Sequence, residues 1–184
     1  MSLAEPGPQP TTTPLQVQMT LEVVVIPVSD VDRAKRFYGG LGWRLDIDFS
    51  GAEDYRVIQF TPPGSGCSII FGRNVTAAAP GSVKGLHLVV ADIEVARAEL
   101  LRRGFEVGEL FHDPGGIFHH ADQAHLCSGA SPGRKSYASY AAFCDPDGNS
   151  WVMQEITARL TGPMARGEDR FSPELIAVVG YAAD

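Results

Sequence analysis

The sequence predicts an α+β fold: two βαβββ modules that together form a cupped, mixed β-sheet with the helices on its outside. Three observations point there. Short β-branched runs and one helical period follow one another in the order strand, helix, strand, strand, strand. That order occurs twice along the chain. A single offset of 62 residues, Asp30 to Asp92, lays one copy on the other.

Each element has a local cause. Residues 1–19 are rich in Pro and Thr without any period, which is the composition of a disordered tail. Leu21 to Val28 is a β-branched strand run, and Ser29-Asp30 supplies a helix N-cap. Val31, Ala34, Tyr38 and Leu41 then recur at helical spacing until Gly39, Gly40 and Gly42 stop the helix. Strands are expected over 43–49, 55–61 and 67–71. The second copy repeats this with a strand over 83–90, a helix capped by Asp92 and carrying Ile93, Ala96 and Leu100, a stop at Gly104, and strands over 105–110, 137–143 and 150–156. The offset pairs Val28 with Val90, Val31 with Ile93, Ala34 with Ala96, Gly42 with Gly104 and Trp43 with Phe105. One domain over 20–158, with halves 20–73 and 83–158, follows. Two segments fall outside the repeat. Residues 111–136 form a loop insertion of a length usually reserved for function. Residues 159–184 form a C-terminal extension, partly helical because Ser172-Pro173-Glu174 reads as a helix start.

Composition narrows the function classes. A net charge of −7 over 184 residues disfavours nucleic acid as partner. Arg33, Lys35, Arg36, Arg97, Arg102 and Arg103 sit among acidic neighbours at helical spacing, as solvated helix faces do. The three cysteines, Cys67, Cys127 and Cys144, form neither a disulfide framework nor a CxxC pair. No apolar run is long enough to span a bilayer, and Met1 to Pro14 lacks the charged start and apolar core of a signal peptide. A cytoplasmic protein with no membrane partner is expected.

The segments VVVIPVSDVDRAKRFY (23–38), GLHLVVADIEVARAELLRRG (85–104) and DPDGNSWVMQE (145–155) resemble the vicinal-oxygen-chelate superfamily of glyoxalases, extradiol dioxygenases and bleomycin-resistance proteins. The resemblance spans about residues 20–158 and implies homodimers. It also implies a divalent metal in the cup, held by His or Glu at positions that here fall on Val23, Ile70, Gly85 and Val152. None has a side-chain donor, whereas such an ion needs several. No metal and no cofactor are therefore expected at that place.

Side chains two apart on a strand share a face, so the cup should also present Val25, Gln59, Ser68, His87, Ser150 and Gln154. His87 has two readings: a general base or ligand anchor in an apolar cup, or a buried histidine satisfied by Gln154 or a neighbouring strand. The insertion carries His112, His119, His120 and His125 with Asp113 and Asp122; it either binds a metal or covers the cup, with Phe118, His119 and His120 touching a ligand. Asp145 to Asn149 reads as a turn. The functional expectation is a metal-independent binder of a small organic molecule. The alternatives are a glyoxalase-like lyase or isomerase, or a dioxygenase-related enzyme, with its site moved to His87, and a non-catalytic partner module.

Overall fold

A computed structural model describes residues 17–114 and 126–182. The first half comprises β1 (Val23–Val25), α1 (Val31–Gly40), β2 (Arg44–Ser50), β3 (Arg56–Thr61) and β4 (Ser68–Arg73). The second comprises β5 (Leu86–Val90), α2 (Ile93–Arg102), β6 (Phe111–His112), β7 (Cys127–Ser128), β8 (Ser139–Cys144) and β9 (Ser150–Glu155), followed by α3 (Pro173–Val179). Each half makes its own mixed sheet. The orders are β1-β4-β3-β2 and β5-β9-β8-β6-β7, with β1 parallel to β4 and β5 parallel to β9. The duplicated α+β architecture is as the sequence predicts, in two sheets rather than one continuous ladder.

Both helices start as their caps require. The Asp30 carboxylate accepts from Arg33 N, and the Asp92 carboxylate accepts from Glu94 N and Val95 N, satisfying amide donors that a helix start otherwise leaves open. These backbone bonds hold the Asp92 carboxyl below its usual range, with Arg134 adding to the effect. Ser172 caps α3 through Leu175 N. The basic residues of the helix faces pair at the surface: Lys35 with Asp48, Arg97 with Glu109, and both Arg102 and Arg103 with Glu99.

One face of each sheet packs against the helices. Val31, Ala34 and Tyr38 of α1 and Ile93 of α2 meet Ile58, Phe60, Ile69, Phe71, Phe143, Trp151 and Met153 in a single core that crosses from one half to the other. Tyr38 is the seam. Its ring lies 5.3 Å from Trp43, 5.4 Å from Phe71 and 6.1 Å from Trp151, and its hydroxyl donates to Asp145 Oδ2 at 2.9 Å. Asp145 in turn accepts from Asp147 N, Asn149 N and Asn149 Nδ2. Asn149 also donates to Pro27 O in the first half. The turn is therefore structural, as its residues imply.

Two expectations change. The strand expected over 105–110 does not form. Gly104, Gly108 and the exposed Glu106 and Glu109 leave an extended segment with one backbone bond to the sheet, Gly108 N to Ala142 O at 2.8 Å. The ladder beside β8 is made by Phe111 and His112 instead, opposite Tyr140 and Ser139. The insertion is also more than a loop: β7 pairs with β6, and a 3-10 turn spans Pro132–Arg134. Met164, Phe171, Leu175 and Ile176 of the extension build a second apolar cluster with Ala158.

Candidate functional site

Ladder register decides which side chains share the face opposite the helices. Val23 lies opposite Ser68, Val25 opposite Ile70, and Ile70 opposite Gln59. On the second sheet His87 lies opposite Val152, which lies opposite Ala142, while Val89 lies opposite Gln154, which lies opposite Tyr140. Val25, Gln59 and Ser68 thus share one face of the first sheet, and His87, Ser150 and Gln154 one face of the second. Val23 and Ile70 lie on the first of these faces and Val152 on the second, with Gly85 leading into β5. Hydrocarbon and glycine cannot coordinate a cation, so the residues present do not fit the metal of related folds. Among the described residues, no cluster of three or more His, Cys, Asp or Glu has a metal-binding arrangement.

The polar members form two groups, one on each sheet. On the first, Thr61 donates to Asp46 and lies 2.7 Å from Ser68 Oγ. Gln59 donates to Ser68 at 3.3 Å and to Asp46 at 3.4 Å. A bulge between Leu45 and Ile47 turns Asp46 toward this group. Arg44 and then Thr61 hold its carboxyl below the ordinary range.

On the second sheet, Gln154 is buried and fully used. Its Nε2 donates to Tyr137 O at 2.9 Å and to Tyr140 Oη at 3.2 Å, while Oε1 faces His87 Nδ1 at 3.2 Å. A backbone carbonyl only accepts, so Tyr137 O fixes which end of the amide is nitrogen. Oε1 then requires His87 to carry its proton on Nδ1, and Nε2 becomes the ring's acceptor in the neutral form. His87 has Gln154 as partner, as one sequence reading held, but its side chain is exposed rather than buried. Burial raises the Tyr140 phenol to about 12, with the Asp113 carboxylate pushing the same way and the Gln154 hydrogen bond opposing.

A cavity of about 260 Å³ lies between the sheets, walled by Leu21, Cys67, Ser68, Leu86, His87 and Trp151 among others. It brings Ser68 and His87 to one space. Ser150 is engaged elsewhere: its hydroxyl accepts from Gly85 N at 2.8 Å. His112 is tied to Gly129 O. Phe118, His119 and His120 lie outside the described residues. Sequence reasoning missed Asp46 and Thr61, because strict alternation in Leu45 to Phe49 puts Asp46 beside Asp48. The bulge separates them and leaves Asp48 with Lys35 and Arg56. It also missed the role of the Tyr137 carbonyl, which no side-chain pattern signals.

Paired βαβββ halves with an apolar face and a few fixed polar groups define a glyoxalase-like module. The family model for the Glyoxalase/Bleomycin resistance protein/Dioxygenase superfamily matches residues 20–153, and the chain belongs to that superfamily. Among solved structures it is similar to TnmS3, an antibiotic binding protein from Streptomyces sp. CB03234. They share 26% identity over 77% of this chain and 99% of that one, with a TM-score of 0.57. It is also similar to a glyoxalase/bleomycin resistance protein from the same organism, at 27% identity over 74% and 100% of the two chains and a TM-score of 0.54. A superfamily member from Sphaerobacter thermophilus DSM 20745 shares the fold at 23% identity, over 75% of this chain and 98% of that one, with a TM-score of 0.55. No curated protein matches the chain. None of the helices described is long and apolar enough to cross a membrane.

Proposed function

We propose that the chain binds a small organic molecule in the cavity between the two sheets, without a metal at the family's usual place. The observation that carries this is the cavity between the sheets, where the oriented imidazole of His87 stands among hydrocarbon walls. Pockets with apolar lining and few well-placed polar groups are the usual form of small-molecule sites. A volume of about 260 Å³ suits one or two rings, or one end of a larger compound, since about 150 Å³ holds benzene. His87 Nε2 would accept a hydrogen bond from the ligand; Gln59, Ser68 and Gln154 would supply or support the other polar contacts. That TnmS3 is an antibiotic binding protein agrees with this class of ligand.

The test is equilibrium dialysis against a panel of aromatic and amphipathic compounds. A tight ligand should be recovered chemically unchanged, and His87→Ala should weaken it roughly five- to tenfold, the value of one hydrogen bond. Equal affinity in His87→Ala would remove the anchor from the site. Conversion of the ligand would instead favour the enzymatic reading, which the same observation supports because an imidazole fixed with Nε2 unprotonated is placed to take a proton.

The reading extends to a homodimer in a reducing, cytoplasmic setting. β2 is an edge strand with every residue exposed, including Leu45, Ile47 and Phe49, and such an edge invites pairing. Cys67, Cys127 and Cys144 form no disulfide.

A further inference from the structure

We propose that the C-terminal extension is a clamp that positions His87, acting through Tyr137. This rests on His87 being the polar anchor of the ligand site. Tyr137 adopts φ +71, in the left-handed region where a Cβ meets the following carbonyl and aromatic residues are rarely found. Such a conformation persists only where the surroundings over-determine it.

Here they do, and most of the restraint comes from the extension. The Tyr137 hydroxyl accepts from Leu160 N at 3.1 Å, and its ring stacks on Phe171 with centroids 6.2 Å apart. The preceding residues are tied to the same segment. Ser136, fully buried, accepts from Thr157 N and Ala158 N, donates to Ala158 O at 2.7 Å, and sends its own amide to Arg170 O. Lys135 donates to Asp169 O. The sheet holds the Tyr137 amide, through Glu155 O at 2.8 Å.

The output of this clamp is the Tyr137 carbonyl. It accepts from Gln154 Nε2, so its direction fixes the Gln154 amide, and the amide fixes the protonated nitrogen of His87. Returning Tyr137 to negative φ would turn the carbonyl away and free Gln154 to rotate. The superfamily match ends at residue 153, before Leu160 and Phe171. Leu160 and Phe171 thus lie beyond the part of the chain that the superfamily model covers, and Tyr137 and Phe171 are positioning residues.

The experiment is long-range ¹H–¹⁵N spectroscopy on full-length protein labelled at histidine, with His87 assigned by its loss in His87→Gln. Neutral His87 should carry its proton on Nδ1. Phe171→Ala and Tyr137→Ala should each shift at least half of the population to the Nε2-protonated form, as Gln154→Leu should. Val178→Ala, exposed on α3, should change nothing. Tyr137→Phe, which keeps the ring and loses only the Leu160 bond, should shift it in the same direction by less, and it serves if Phe171→Ala unfolds. The clamp is overturned if folded Phe171→Ala or Tyr137→Ala keeps the wild-type tautomer while Gln154→Leu loses it. It is overturned also, together with the Gln154–His87 bond, if Gln154→Leu keeps it. The readout needs no ligand, so it succeeds or fails independently of the dialysis result.

Discussion

Asp145→Ala should cost about 3–5 kcal/mol of folding stability. The carboxylate is buried and takes four donors: Tyr38 Oη at 2.9 Å, Asn149 Nδ2 at 2.8 Å, and the amides of Asp147 and Asn149 at 2.9 Å each. The two amides belong to a turn near the surface, where water can replace the carboxylate. Tyr38 and Asn149 are fully enclosed. Each polar group left unsatisfied in such a place costs about 1–3 kcal/mol, and the two together dominate the sum. Tyr38 keeps one contact, from Trp151 Nε1 at 3.3 Å, which holds the total toward the middle of the range. For a chain of this length about 2–4 °C of Tm accompanies each kcal/mol, so Tm should fall by about 10–15 °C. Urea unfolding followed by tryptophan fluorescence measures it directly, since Trp151 sits in the same network. Asp145→Asn keeps the shape and one acceptor and should lose about half as much. A loss below about 1 kcal/mol in Asp145→Ala, with the urea slope unchanged, would refute the argument that this carboxylate joins the two halves.

Arg134→Met leaves Glu155, 1% exposed, without the guanidinium that reaches it. Because Arg134 is itself partly exposed, the cost should be about 2–3 kcal/mol, and Glu155→Gln in the same chain should recover part of it; equal stability of the two variants would contradict this. Burial favours the neutral phenol of Tyr140, raised to about 12 from 10. The stability it contributes is therefore complete below about pH 10 and lost as pH rises through about 12. Absorbance titration of the wild type against Tyr140→Phe should show the missing phenol's step at about pH 12; a missing step near pH 10 while the chain stays folded would be the contrary result. In sedimentation the wild type should run at twice its 19.7 kDa, and Phe49→Lys on β2 should run as a monomer, whereas a variant still dimeric would remove β2 from the interface.

Periodicity made the repeated architecture legible because both halves obey it: the caps at Asp30 and Asp92, the glycine stops and the strand alternation are local signals. The failures share a cause, which is that they depend on long-range geometry. Residues 105–110 have strand-like spacing, but β8 finds its partner at Phe111 and His112, and nothing local distinguishes the two choices. The face carrying His87, Gln59, Ser68 and Gln154 was readable from a period of two. That Ser150 is spent on Gly85, and that Asp46 enters the first polar group, follows from a side-chain contact and a bulge. The left-handed turn at Tyr137 is opposed by its own residue type and exists only because a distant segment holds it.

The 62-residue offset that aligns the halves brings Tyr38 onto Leu100, so the duplicated halves differ at the residue that seals them. Leucine has neither a hydroxyl for Asp145 nor a ring to span five aromatic neighbours. The two halves are consequently not exchangeable: a chain built from two copies of the first half would lack Asp145, the acceptor that Tyr38 uses. A backbone cut in the exposed linker at 76–80, by contrast, would leave both pieces gripping one another through Tyr38, the Asn149–Pro27 bond and the shared core.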